Sequence, residues 1–194
     1  AGSGILAQGL SSRIEQNTIR FNAARGIGVS GAGSRVSIRA NTVFDNGGPA
    51  IDLGNDGVTA NDLDDADSGP NELQNFPVLT RARTTLGAGT LIEGTLDRPP
   101  GATALEYQLD LYSNAGCDPL GHGEGEAEFA TVTLSLANGN SESFSLWLPT
   151  TFLPPGRAIT ATATATAGPD VTSEFSACVL STQVSETMFA NGFE

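Results

Sequence analysis

The chain has 194 residues, enough for one large domain or two small ones. It is 39% hydrophobic, so a packed core is feasible, but aromatics make up only 6% and the apolar supply is mainly Ala, Val, Leu and Ile. The net charge is −13, with nine arginines and no lysine, and an acidic surface repels phosphate backbones, which argues against a nucleic-acid partner. No apolar stretch approaches the roughly 20 residues of a membrane span. The 24 glycines and 10 prolines suit many short strands joined by tight turns.

The chain opens in mid-pattern at Ala1-Gly2-Ser3-Gly4, and we expect an N-terminal portion to precede it. A repeat governs the first fifty residues. Ile14-Glu15-Gln16-Asn17-Thr18-Ile19 aligns with Ile38-Arg39-Ala40-Asn41-Thr42-Val43, and the same offset carries Asn22 onto Asn46, Ile27 onto Ile51 and Val29 onto Leu53. Gly4-Ile5-Leu6 is an earlier copy of Gly26-Ile27-Gly28. Short alternating strands at this period are what each coil of a parallel β-helix needs, because every coil must stack its apolar side chains on the next. Ile14/Ile38, Ile19/Val43 and Ile27/Ile51 are expected as core columns, and Asn17/Asn41 as a turn ladder. The Leu-x-x-Leu-x-Leu signature of the rival leucine-rich solenoid is absent. Residues 1–54 are therefore read as terminal β-helix coils.

Residues 55–75 form an acidic connection. From Asp52 to Asn75 the chain holds six Asp and four Asn with almost no apolar periodicity. A loop this long needs either disorder or an organiser. Asp65-x-Asp67-x-Gly69-x-Asn71 places oxygen donors at alternate positions around a turn glycine, the first half of a Ca²⁺ loop, and Asp62 and Asp64 complete the expected shell. The distal Glu of an EF-hand is missing. The competing reading is a solvated acidic turn with Asx caps and no metal.

From Phe76 the pattern changes to period two. Leu105, Tyr107, Leu109 and Leu111 alternate with polar residues, as do Val132, Leu134 and Leu136, and Phe144, Leu146 and Leu148. Further strands are expected at 78–85, 90–96, 158–166 and 171–179, with a turn at Asn138-Gly139. About seven strands over residues 76–182 describe an immunoglobulin- or fibronectin-like β-sandwich. The fold class is thus all-β: the end of a right-handed parallel β-helix, then a sandwich, then a tail at 183–194. Cys117 and Cys178 both fall in the strand-rich half and are expected to pair in an oxidising compartment, stapling the 113–125 loop. The alternative is two free thiols.

The residues Ala50-Ile51-Asp52-Leu53-Gly54-Asn55-Asp56-Gly57-Val58-Thr59, Asn61-Asp62, Asp65-Ala66-Asp67-Ser68-Gly69-Pro70-Asn71 and Leu73-Gln74-Asn75-Phe76-Pro77-Val78-Leu79 carry a resemblance. So do Tyr112-Ser113-Asn114, Cys117-Asp118, Gly121-His122-Gly123-Glu124-Gly125 and Thr172-Ser173-Glu174-Phe175-Ser176-Ala177-Cys178. Over most of residues 1–179 the chain resembles C-terminal regions of large secreted proteobacterial proteins with right-handed parallel β-helix repeats. The resemblance implies architecture and export more than activity. Met188-Phe189-Ala190-Asn191-Gly192-Phe193-Glu194 resembles short C-terminal signatures on secreted proteins of the Xanthomonas and Lysobacter group.

Parallel β-helices often host polysaccharide lyases and hydrolases. Arg20, Arg25 and Arg39 lie on the coils with Asp45 and Asp52 near them, but nothing in the pattern makes them converge as lyase or hydrolase chemistry requires. His122, the sole histidine, sits in a glycine-rich loop with Glu124 and Glu126, and no nucleophile pairs with it. No catalytic residue is assigned. Trp147 and Tyr112 fall on the polar phases of their strands, where they can contact glycans or cover a loop or neighbouring domain. The chain reads as a non-enzymatic stalk-and-cap module of a secreted or surface protein, serving adhesion, glycan contact or display, with preceding coils as partner. The alternative is the accessory C-terminal part of a polysaccharide-degrading enzyme.

Overall fold

In a computed structural model the chain is described at residues 2–99, 106–136, 141–166 and 170–184. The expectations for Leu105, the Asn138-Gly139 turn and the C-terminal signature lie outside these residues. The described chain is all-β. Among these residues no helix is long and apolar enough to cross a membrane.

The first half makes three passes of short strands. The first pass is β1 (Ile5–Gln8), β2 (Ser12–Glu15) and β3 (Thr18–Arg20). The second is β4 (Ile27–Ser30), β5 (Val36–Arg39) and β6 (Thr42–Phe44), and β7 (Ile51–Leu53) begins a third. Each strand pairs in parallel with its counterpart in the next pass, giving ladders β1-β4-β7, β2-β5 and β3-β6. Ile5 faces Ile27, which faces Ile51; Ile14 faces Ile38; Ile19 faces Val43. These columns form one core, buried except at Ile5, which packs against it partly exposed.

The corners explain the repeated asparagines. Gln16 and Ala40, and Phe21 and Asp45, all have φ between 52° and 60°, a left-handed conformation that side chains other than Gly and Asn adopt at a cost. The next residue is in each case an Asn that locks the corner. Asn41 Oδ1 accepts both the backbone N–H and the side-chain amide of Asn17, at 3.0 and 3.1 Å. Asn46 Oδ1 does the same for Asn22. The glycines that open the passes are dictated by crowding: a Cβ on Gly4 would lie 2.7 Å from the Gly26 carbonyl, and one on Gly26 2.7 Å from that of Ala50.

The second half is one long ladder. It contains β8 (Val78–Thr85), β9 (Gly89–Asp97), β10 (Glu106–Asn114), β11 (Ala127–Ser135), β12 (Ser141–Leu148), β13 (Ala158–Ala165), β14 (Val171–Thr172) and β15 (Val179–Val184). The order is β11-β10-β13-β15-β8-β9-β12, with β14 beside β13. The sheet curls around a second core, almost closing like a barrel, so that Ile92, Leu96 and Phe144 meet Leu109, Leu111 and Ile159. The Ala/Thr alternation of β13 turns Ala161, Ala163 and Ala165 to this core.

The strand expected at 171–179 is interrupted. Between β14 and β15, the Ser173 and Ser176 N–H groups donate to the Ala163 and Ala161 carbonyls, and their Oγ atoms accept the N–H groups of the same two alanines. The intervening Glu174 and Phe175 are thereby turned toward the coils. Cys178 follows and bonds Cys117, with Cα atoms 5.8 Å apart.

Glu174 joins Asn71, Thr172 and Gly125 in closing the last strand of each ladder. Strand edges carry unpaired N–H and C=O groups, and burying them unpaired costs about 1–3 kcal/mol each. On β5, Asn71 Oδ1 accepts the Val36 N–H, its amide donates to the Val36 carbonyl, and Thr172 Oγ1 accepts the Ile38 N–H. On β6, Val43 and Gly125 exchange two backbone bonds of 2.8 Å. On β7, Glu174 Oε1 accepts the Leu53 N–H at 2.7 Å, while Oε2 accepts that of Thr59. Tyr112 and Phe175, edge to face at 5.1 Å, fill the apolar end beneath. Arg39 reaches Asp110 on the outer face of β10, which also accepts from Thr131.

Burial pushes the Glu174 carboxyl up to about 7, opposed by its two backbone donors and reinforced by the charges of Asp52 and Asp56. A carboxyl raised in the folded state holds its proton more tightly there than in the unfolded chain. Its contribution to stability is full below pH 4.5 and is lost as pH rises through 7. Urea denaturation at pH 5 and pH 8 should therefore show lower stability at pH 8, by on the order of 3 kcal/mol from this group. Glu174→Gln should shallow the slope, and an unchanged slope would remove Glu174 as its source. Serine at Cys117 and Cys178 should lower stability by about 4 kcal/mol, since the bridge closes a loop of 61 residues. Equal midpoints for the two proteins would contradict that.

Candidate metal centre

The acidic connection is organised by its own amides. Asn61 and Phe76 exchange two bonds, the Asn61 amide donating to the Phe76 carbonyl and the Phe76 N–H to Asn61 Oδ1. Asn75 and Asp62 repeat the device, at 2.9 and 3.1 Å. With both ends clasped, residues 62–74 form a compact excursion with short 3-10 turns at Leu63–Asp65 and Pro70–Leu73.

Three carboxylates converge within it. Asp62, Asp65 and Asp67 each present an oxygen within 4.8 Å of the others. Asp62 is oriented by the N–H groups of Ala66 and Asp67, and Asp65 by that of Asn75 at 2.8 Å. Burial raises the Asp65 carboxyl to about 7; the Asn75 N–H opposes this, and the negative charges of Asp67, Asp62 and Glu72 add to it. Burial and Asp62 likewise raise Asp67. Asp67 Oδ1 is buried and, among the described residues, accepts no hydrogen bond. Mutually repelling carboxylates with an orphaned acceptor fit a hard cation: it would neutralise them and use the free lone pair.

The other expected ligands lie elsewhere. Asn71 is fully buried and spends its side chain on Val36 and the Thr172 carbonyl. The local spacing resembles a metal loop, but the left-handed turn at Asn71 and Glu72 carries it to the coil edge instead. Asp64 is not in the cluster, and its N–H faces Asp97.

Tyr112 is no surface aromatic. It is only 2% exposed, because the coils cover the outer face of β10 and make both phases of that strand interior. Burial pushes its phenol well above the usual range. Trp147 is 50% exposed. Of the coil arginines, Arg25 pairs with buried Asp52 at 2.9 Å, Arg39 with Asp110, and Arg20 lies over the Phe21 and Phe44 rings. His122 Nδ1 sits 3.2 Å from the Phe175 carbonyl, and its ring meets Phe76 edge-on.

A second acidic region is a cavity of about 500 Å³ between the turn after β6 and the 114–126 loop, lined by Asp45, Asp118, Glu124 and Glu126 among others. Glu126 is committed to the Ala115 N–H and Arg157. Burial, then the charge of Asp118, raises Glu124.

Glu174 was invisible as a functional residue in sequence, where it looks like an ordinary strand acid. The signal was its setting: one carboxylate between two serines and beside Phe175, in a run otherwise fit for burial. No protein-family model matches the chain, and no curated protein matches it.

A divalent cation at Asp62, Asp65 and Asp67 must displace the proton that Asp65 retains near neutrality. Calorimetric titration should show tighter binding at pH 8 than at pH 6, with proton release in the lower range, and Asp65→Asn should abolish it. Absence of heat with Ca²⁺, Mg²⁺ and Mn²⁺ alike would leave the cluster a solvated turn.

Proposed function

We propose that this chain is the end-cap of a right-handed parallel β-helix, closed by an immunoglobulin-like sandwich, in a secreted or surface-exposed bacterial protein. One observation carries this reading: the two sides of the coil stack are treated differently. On the third-pass side, Asn71, Thr172, Gly125 and Glu174 occupy the backbone positions that a further coil would take. On the first-pass side, Leu10 and Phe21 are 77% and 71% exposed. The first pass also repeats the receiving chemistry of the second: Gly4 for Gly26, Asn17 for Asn41, Asn22 for Asn46. That side suits another coil of the same kind.

Export is supported by the disulfide, a bond that forms and persists in oxidising compartments. The metal we assign to the connection is Ca²⁺, whose preference for many oxygen donors in flexible geometry matches carboxylates on an irregular loop. Its role there is to stiffen the joint between coils and cap. The chain's contribution is thus mechanical and protective: it ends a solenoid whose last edge would otherwise pair with other chains.

A coil-stacking interface adds stability coil by coil. Duplicating residues 2–25 in frame ahead of Gly4 should raise the melting temperature and the β-sheet signal in circular dichroism. An unaltered or lowered melting temperature would overturn the end-cap reading. EDTA should lower the melting temperature of the unmodified chain, and excess Ca²⁺ should restore it.

A further inference from the structure

Among the described residues, the outer face of β15-β8-β9-β12 takes no part in either core. Pairing fixes which side chains share it. Trp147 faces Leu91, Leu91 faces Arg83, and Arg83 faces Thr182, giving one row across four strands. The next row runs Ser145, Glu93, Arg81. The side chains of Arg81 and Arg83 are 53% and 41% exposed. Leu180 and Val184 lie on the same phase of β15 as Thr182 and are also exposed.

Two kinds of chemistry meet here. Trp147 is a large half-exposed ring on a rigid strand, beside apolar Leu91. Such a ring gains by covering an apolar surface while its N–H stays available to a polar partner. Pyranose rings offer that combination, with C–H groups on one side and hydroxyls at the rim. Arg83 lies two strand spacings away, about 10 Å, a distance a disaccharide spans. Arg81 is held by Glu93 at 2.9 Å, whereas Arg83 is 3.8 Å from the same carboxylate and keeps guanidinium donors free of close engagement with it. The row is locally cationic in a chain of net charge −13. Asp97, on the same phase of β9, lies at the far end with its oxygens accepting the Arg98 and Asp64 N–H groups.

We propose that this face is a docking surface for an acidic polysaccharide, with Trp147 stacking on one sugar ring and Arg83 receiving the carboxylate of a neighbouring uronate. A guanidinium takes a carboxylate through two parallel bonds, which a neutral sugar cannot supply. The acidic remainder of the molecule opposes long-range approach, but at physiological ionic strength charges beyond about 8 Å are largely screened, so the contact is decided locally. The face uses no coil residue, so this proposal stands or falls apart from the end-cap reading.

Trp147 is the only tryptophan, so intrinsic fluorescence reports this face directly. The whole chain should be titrated with tetragalacturonate and, separately, with neutral cellotetraose at physiological ionic strength. Tetragalacturonate should shift or quench the emission in a saturable way. Arg83→Gln should weaken binding about tenfold or more, and Arg83→Lys less so. Calorimetry should show the interaction lost in Trp147→Ala, with melting close to that of the unmodified chain. Unchanged emission and no heat at millimolar tetragalacturonate would overturn the proposal. So would equal binding of cellotetraose, which would deny the carboxylate a role. Emission that changes with protein concentration alone would assign the face to a second copy of the chain instead.

Discussion

The molecule depends on satisfying one strip of backbone. A stack of parallel coils is stable inside because each strand's amides meet those of the next pass, and that logic fails at the last pass. The second half meets the need with four unlike devices: an Asn side chain, a Thr hydroxyl, a pair of backbone groups at Gly125 and a Glu carboxylate. They come from three separate segments around residues 71, 125 and 172–174. The sheet behind them must curl, break between β14 and β15 and turn Glu174 outward to deliver them. The carboxylate is a costly choice in a buried site, yet its two oxygens can accept from Leu53 and Thr59 at once. A neutral amide has only one accepting oxygen to offer.

The same need accounts for what could be read in the sequence. Isoleucine columns and asparagine corners recur at a fixed offset, because stacking makes the position of one residue dictate that of another. Such coupling leaves a periodic trace. The alternation in β9, β12 and β13 is legible for a similar reason: one side of each strand faces a core. Capping groups leave no such trace, since each is used once. Asn71 sits within a run of acids spaced like ligands, and only the left-handed turn at Asn71 and Glu72 diverts it. Tyr112 reads as surface because alternation assumes a solvated side, and β10 has none where the coils cover it. The interruption after Thr172 was hidden because Ser-Glu-Phe-Ser fits a strand as well as it fits a cap.

The acidic connection combines two organising principles. Asparagine clasps at Asn61 and Asn75 fix its ends without any ion, so the three aspartates meet as a result of the fold. Their mutual repulsion raises the free energy of the cluster. The clasps hold the loop's position, and within it the backbone N–H groups of Ala66, Asp67 and Asn75 orient Asp62 and Asp65.

The distance along the chain between the coil edge and its cap has a consequence for biogenesis. Ile38 finds its partner 134 residues later, and Leu53 finds Glu174 after 121. During synthesis the coils emerge first. Their lower edge stays open until residues near 174 have followed, which invites pairing with neighbouring chains in the interval. Short strands of three or four residues and left-handed corners limit how much edge any one pass offers. The cap acts as a delayed stopper, and the rate at which the last third of the chain is delivered governs how long the coils must wait for it.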